Sequence, residues 1–313
     1  MGAGVTDTRT RPGARWRCLA LTIVLLSVAL PLIGSEPAVA NRGNRHVRPQ
    51  VVNGSPVEQG QDRFVVALLR KSRGGDAFKQ QYCGGAMVAK DWVLTAAHCV
   101  RGQVASHLAV FIGQVDLTQA GTTIDVAQFA ITPNYDPRHT ANDVALVQLR
   151  QTIPADLYAP IAMVAGGDTT YDAAGTPVSV AGWGATNATS PYDNPRVLQQ
   201  ADIQVLPDGI CESSWSYGEA YRPASMLCAG NNQTPVKDAC YGDSGGPLFA
   251  ETPAGPIEVG IVSFGRSCAF LRYPGVYTRL SSPALADWIH SVLACSEHAA
   301  KKRCRPPSRT TTG

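Results

Sequence analysis

From Val51 to Val262 the sequence runs as short apolar stretches, each closed off by Gly, Pro, Asn or Asp; Phe64–Leu69, Trp92–Leu94, Val144–Leu149, Val178–Ala181 and Ile257–Val262 are examples. Stretches this short suit strands better than helices, and a series of them separated by turn residues predicts an all-β barrel or sandwich. The proline-containing stretch Gln151–Ala165 reads as a link between two such units. One helix is predicted near the end. Pro283 suits a first helical turn, and Leu285, Trp288, Ile289, Val292 and Leu293 then recur at helical spacing.

The first residues read as an address. Arg9 to Arg17 form a positive stretch, Cys18–Ile33 an apolar run, and Ala38-Val39-Ala40 a small-residue cleavage site. The apolar run is short for a bilayer span, which needs roughly 20 residues. We therefore expect residues 1–40 to be a signal peptide, the mature protein to be secreted, and no membrane association after its removal. Residues 41–50 read as a short pro-segment and residues 301–313 as a basic, flexible tail. Several basic residues lie at the two ends, so the middle is close to neutral within a formal net charge of +3, and no internal Lys/Arg face suggests nucleic acid. Loss of Cys18 with the signal leaves eight of the nine cysteines, 83, 99, 211, 228, 240, 268, 295 and 304. An even number in an exported chain suggests disulfides, of unspecified pairing. No Cys/His spacing suggests zinc, and the acids after Gly113, Asp116 and Asp125, do not make a calcium loop. We expect no metal and no cofactor.

Three segments carry chemistry: Thr95-Ala96-Ala97-His98-Cys99, Asn142-Asp143-Val144-Ala145-Leu146 and Gly242-Asp243-Ser244-Gly245-Gly246-Pro247. A serine hydroxyl is a weak nucleophile near neutrality and needs a base within hydrogen-bond reach, a task that suits histidine. Taken singly, a histidine or serine is usually structural. These segments, in the order His, Asp, Ser, resemble the trypsin/chymotrypsin family of serine endopeptidases. Val51-Val52-Asn53-Gly54, Cys83-Gly84-Gly85, Ala181-Gly182-Trp183-Gly184, Met226-Leu227-Cys228-Ala229-Gly230 and Pro274-Gly275-Val276-Tyr277 extend the resemblance to about Leu293.

The resemblance implies two six-stranded antiparallel β-barrels packed together with a C-terminal helix. The protease domain would cover residues 51–300, with the first barrel at about 51–155, the second at about 165–280 and the helix at about 283–297. It implies Ser244 as nucleophile, His98 as general base, Asp143 as orienting acid, and the N–H groups of Gly242 and Ser244 as oxyanion donors. Asp238 would receive an Arg or Lys side chain, with Ala239, Ser263, Phe264, Gly265 and Gly275 around it. Ala239 stands where many trypsin-like enzymes have serine, which favours Arg over Lys. Thr140 and Trp215 are candidate subsite residues. The implied disulfides are Cys83–Cys99, Cys211–Cys228 and Cys240–Cys268, leaving Cys295 and Cys304 to pair. Removal of the pro-segment would free the Val51 amine to pair with Asp243, so the precursor is expected to be a zymogen with a poorly arranged Asp243 loop. Gln50 precedes Val51, so a different protease is expected to activate it. Other expected partners are protein or peptide substrates and protein inhibitors, and the expected state is a monomer. A catalytically silent homologue acting as a binding module is the alternative. A hydrolase acting mainly on esters would use the same machinery.

Overall fold

Residues 65–69 are apolar without alternation because both faces of their strand are covered. Val66 and Leu68 enter one buried cluster with Met87, Leu94, Val110 and Leu146, while Val65, Ala67 and Leu69 enter another with Trp183, Leu198 and Phe249. The computed structural model describes residues 51–298 apart from Pro191, Tyr192 and Asn232, and gives only the backbone of residues 296–298. The expected signal peptide, pro-segment and tail, and Cys304, lie outside the described residues. No helix among the described residues is long and apolar enough to cross a membrane.

The strands are β1 (Ser55–Pro56), β2 (Val65–Arg70), β3 (Gln81–Ala89), β4 (Trp92–Thr95), β5 (Leu108–Ile112), β6 (Thr122–Ile131), β7 (Ala145–Leu149), β8 (Ala162–Met163), β9 (Pro177–Gly182), β10 (Gln199–Val205), β11 (Met226–Gly230), β12 (Pro247–Ala250), β13 (Ile257–Phe264) and β14 (Gly275–Arg279). The ring β2-β3-β4-β7-β6-β5 closes the first barrel. The ring β9-β10-β11-β14-β13-β12 closes the second, because β9 pairs with both β10 and β12. All of these ladders are antiparallel. The short α-helices are α1 (Ala77–Gln80), α2 (Ala97–Val100) and α3 (Asp208–Glu212), and α4 (Pro283–His298) is the long one. Leu285, Trp288, Ile289 and Val292 form the buried stripe of α4, as their spacing predicts.

The barrel boundary differs from the expected one at its start. Residues 51–56 do not open the first barrel: β1 pairs with β10, Ser55 opposite Gln200, and so extends the second. A two-residue strand carries too little pattern to reveal its partner. Between the barrels, Phe64 and Phe249 meet edge to face with ring centroids 5.1 Å apart, an arrangement favoured by the ring quadrupoles.

Glu258 stands out in β13. It is fully buried and neither carboxylate oxygen has a hydrogen-bond partner. Burial pushes its pKa well above the ordinary glutamate value. The folded state therefore holds a proton that the unfolded chain releases, and stability falls as pH rises above the usual Glu range by about 1.4 kcal/mol per pH unit until the folded group itself ionises. Glu258→Gln is expected to remove this slope. Glu258→Leu should remove it too and raise stability near neutrality by about 1–3 kcal/mol. Urea-unfolding midpoints at about pH 5 and pH 8 check both; an unchanged pH slope in the variants would contradict the assignment.

Candidate active site

His98 sits on α2, one short turn beyond β4, and Asp143 lies two residues before the start of β7, so the pairing of β4 with β7 brings them together. Asn142, with φ +54°, turns the chain into position just before Asp143. The Asp143 side chain is buried, and Oδ2 accepts from His98 Nδ1 at 2.7 Å and from Ser263 Oγ at 2.6 Å. Its Oδ1 accepts from the His98 backbone N–H at 2.9 Å, and its backbone carbonyl from Thr278 Oγ1 at 2.8 Å. A carboxylate so placed fixes the tautomer with the proton on Nδ1 and leaves Nε2 as a basic lone pair. About a third of the His98 side chain remains exposed.

Ser244 comes from the other barrel, in the turn before β12. Its carbonyl accepts from Gly84 N–H at 2.8 Å. The Cys99 sulfur lies 3.6 Å from both that carbonyl oxygen and His98 Nε2, so the histidine and the serine border the same sulfur. No direct hydrogen bond joins Ser244 Oγ to His98 Nε2, a contact that commonly tightens only with substrate bound. The fit between barrels here requires glycine at 245. It has φ +81°, and a Cβ there would collide with Thr95 Oγ1 and come within 2.6 Å of the Gly84 carbonyl.

The peptide planes around Ser244 are oriented from outside. The Tyr241 carbonyl accepts from Ala185 N–H at 2.8 Å, so the Gly242 N–H on the same trans peptide points the opposite way. The Gly242 carbonyl accepts from Gln81 Nε2 at 2.8 Å, and Gly242 itself has φ +104°. Neither Gly242 N–H nor Ser244 N–H donates to another backbone carbonyl among the described residues. Two unengaged amide donors beside a serine can receive a developing oxyanion. Sequence reasoning missed the parts of Gln81 and Ala185, whose residue types carry no motif signal.

Asp243 is fully buried, with Oδ1 accepting from Gly184 N–H at 2.6 Å and Oδ2 from Cys240 N–H at 2.8 Å. Gly182 and Gly184 form its cradle, since a Cβ on either would overlap the carboxylate. Two amides and a glycine cradle hold the carboxylate in this position. No salt bridge to Asp243 occurs among the described residues, and burial raises its pKa to about 6. Val51 is fully buried.

A cavity of about 210 Å³ opens beside Ser244 and is walled by Ser263, Phe264, Gly265, Gly275 and the Cys240–Cys268 disulfide. Asp238 lies at its buried end, next to Ala239. Its Oδ2 accepts from Ala269 N–H at 2.9 Å, while Oδ1 has no partner. Burial raises the Asp238 pKa to about 7. The Tyr277 hydroxyl, which also lacks a partner, borders the same space. A Cβ at position 275 would come within 2.9 Å of Asp238 Oδ1 and 3.0 Å of the Tyr277 hydroxyl, so glycine there keeps the polar end open. Tyr277 is a third residue whose part the sequence alone did not single out.

The three expected disulfides, Cys83–Cys99, Cys211–Cys228 and Cys240–Cys268, are present. The Cys83, His98 and Cys99 ligand atoms are grouped closely, but the sulfurs are bonded to each other and offer no thiolate to a metal. Asp136 accepts from the Arg138 N–H and also pairs at 2.6 Å with His139. That pair is exposed.

The family model described as Trypsin matches residues 51–289. The chain is 34% identical over 215 residues to a trypsin of Sarcophaga bullata, covering 68% of this chain and 80% of that protein. It is 31% identical over 239 residues to Trypsin Blo t 3 of Blomia tropicalis, covering 76% and 84%. It is also 32% identical over 288 residues to serine protease 56 of Mus musculus, covering 88% of this chain and 45% of that protein. The two-barrel architecture and these likenesses agree: the chain belongs to the trypsin family of serine endopeptidases.

Proposed function

We propose that this protein is a secreted endopeptidase, made as a zymogen, that cleaves after Arg in preference to Lys. The observation that carries the reading is a single cavity with a serine hydroxyl at its rim and an unpartnered carboxylate oxygen at its buried end. A guanidinium entering it would pair with Asp238 in a dry setting, where an apolar side chain would leave that oxygen unsatisfied. The Tyr277 hydroxyl could accept a further donor.

In this reading His98 Nε2 takes the proton of Ser244 Oγ as the oxygen attacks the peptide carbonyl. The Gly242 and Ser244 N–H groups receive the negative oxygen. His98, held by Asp143 and charged, then gives the proton to the leaving amine, and an acyl-enzyme on Ser244 remains for water to hydrolyse. Cleavage before Val51 would give Asp243 the cation it lacks. A free amine is needed, because a peptide nitrogen carries no charge. The amine pKa would be raised by the pair, so activity that depends on it is present below that pKa and fades as pH rises through it. With Ala239 beside Asp238, the pocket offers one hydroxyl fewer to a lysine ammonium, whereas arginine pairs through two N–H groups.

One experiment tests the whole reading. Purified precursor is treated with candidate activating proteases, the new N-terminus is sequenced, and each sample is exposed to a fluorophosphonate probe and to matched Arg and Lys peptide amides. Acylation of Ser244 is expected once the chain starts at Val51, with kcat/KM about tenfold higher for Arg. A chain beginning at Val51 that is never acylated would overturn the proteolytic reading, and equal rates on the two peptides would remove the Arg preference. Clean cutting of the Ser244→Ala precursor at Gln50–Val51 by the mature enzyme would exclude the need for another protease.

A further inference from the structure

We propose that the preferred substrates carry acidic side chains three and four residues before the cleaved bond, and that Arg266 and Arg272 receive them. The inference rests on the proteolytic reading above and names the substrate class for that same site. The cavity wall Ser263-Phe264-Gly265 leads directly into Arg266, which is exposed. A peptide whose P1 side chain fills the cavity and whose backbone runs antiparallel along this wall advances one residue per residue of the wall. Its third residue then lies opposite Gly265, and its fourth comes alongside Arg266.

Both arginines are held in place by one aromatic surface. Arg266 lies 5.0 Å and Arg272 5.4 Å from the centroid of the Tyr273 ring. Arg266 Nη1 also donates to the Tyr273 hydroxyl at 2.9 Å. Arg272 covers the ring of Trp215 at 5.4 Å, and its Nε donates to the Trp215 carbonyl. Tyr217 packs edge-on against both Phe264 and Tyr273 and so ties this surface to the cavity wall. Trp215, although 74% exposed, is thus a support for Arg272.

Neither arginine forms a salt bridge to a carboxylate among the described residues. Two cations sharing one ring repel each other, and a carboxylate on the substrate relieves that repulsion. The side chains are already ordered by stacking, so little rotamer freedom is lost on binding. The surface therefore favours acidic residues, tolerates neutral ones and opposes basic ones.

The test uses the protein beginning at Val51 and three peptide amides ending in Arg that differ only at P4–P3: Asp-Asp, Ala-Ala and Lys-Lys. The expected order of kcat/KM is acidic, neutral, basic, with about a tenfold span at low ionic strength that shrinks in about 0.5 M NaCl. In the Arg266→Glu/Arg272→Glu double variant the acidic-to-basic ratio is expected to invert. The ratio is internal to each preparation, so loss of active protein does not mimic the effect. Equal rates on the three peptides, or an acidic preference that survives in the double variant, would overturn the role of the arginines and leave the proteolytic reading standing. Failure to cut any of the three would overturn both.

Discussion

Ser244→Ala in the chain that starts at Val51 is expected to lower kcat on an Arg peptide by roughly 10⁶, as loss of the nucleophile does in serine proteases of this chemistry. The residual rate would come from the amide donors and from binding. Asp143→Asn is the more informative companion. Asp143 Oδ2 accepts from two donors at once, His98 Nδ1–H and Ser263 Oγ–H, and Oδ1 from the His98 backbone. An asparagine must turn its NH₂ towards one of these donors. If it faces His98 Nδ1, the ring can satisfy it only by moving its proton to Nε2, which removes the base. The expected loss is about 10⁴ in kcat, with KM little changed. Steady-state kinetics check both variants, and a fluorophosphonate should label Asp143→Asn slowly and Ser244→Ala not at all. Retention of kcat within about tenfold by Asp143→Asn would mean that the carboxylate does not orient the base.

The second large effect is expected at Asp238. Asp238→Asn keeps an acceptor for the Ala269 N–H but removes the charge from the buried end of the cavity. A guanidinium would then be desolvated without a counter-ion, and kcat/KM for an Arg peptide should fall by roughly 10⁴. A matched Phe or Leu peptide should be cut at least as fast as before, since it no longer faces a buried carboxylate. The opposed directions separate a specificity change from general damage. The Asp238 pKa of about 7 adds a pH signature. Burial raises it, so the empty pocket loses its charge as pH falls through about 7, and the Arg-to-Phe rate ratio of the unmodified protein should fall with it. In Asp238→Asn this pH dependence of the ratio should be absent. Parallel losses on Arg and Phe peptides in the variant would sink the pocket assignment.

Much of this arrangement was legible in the sequence, for identifiable reasons. The stripe of α4 was visible because Leu285, Trp288, Ile289 and Val292 all face one core. The segments around His98, Asp143 and Ser244 were visible because their neighbours are constrained as tightly as they are; Gly245, for instance, abuts Thr95 and Gly84 of the other barrel. What stayed hidden depends on partners distant in the chain. β1 is too short to declare that it joins β10. Gln81 reaches across 161 positions to the Gly242 carbonyl, and nothing in its own surroundings in the sequence announces that. The Glu258 letter looks like a solvent-facing residue in a strand, yet β13 is buried along its centre. The cradle of Asp243 was hidden too, since Gly184 and Cys240, which donate to its carboxylate, come from separate parts of the chain.

The histidine and its carboxylate travel with one barrel, the serine and Ser263 with the other, and the seam between them runs through Gly245 and Thr95. On the proteolytic reading proposed above, hydrolytic competence would belong to the joint and to neither half alone. A copy whose halves began to part would then fall silent while each still kept its own ladders.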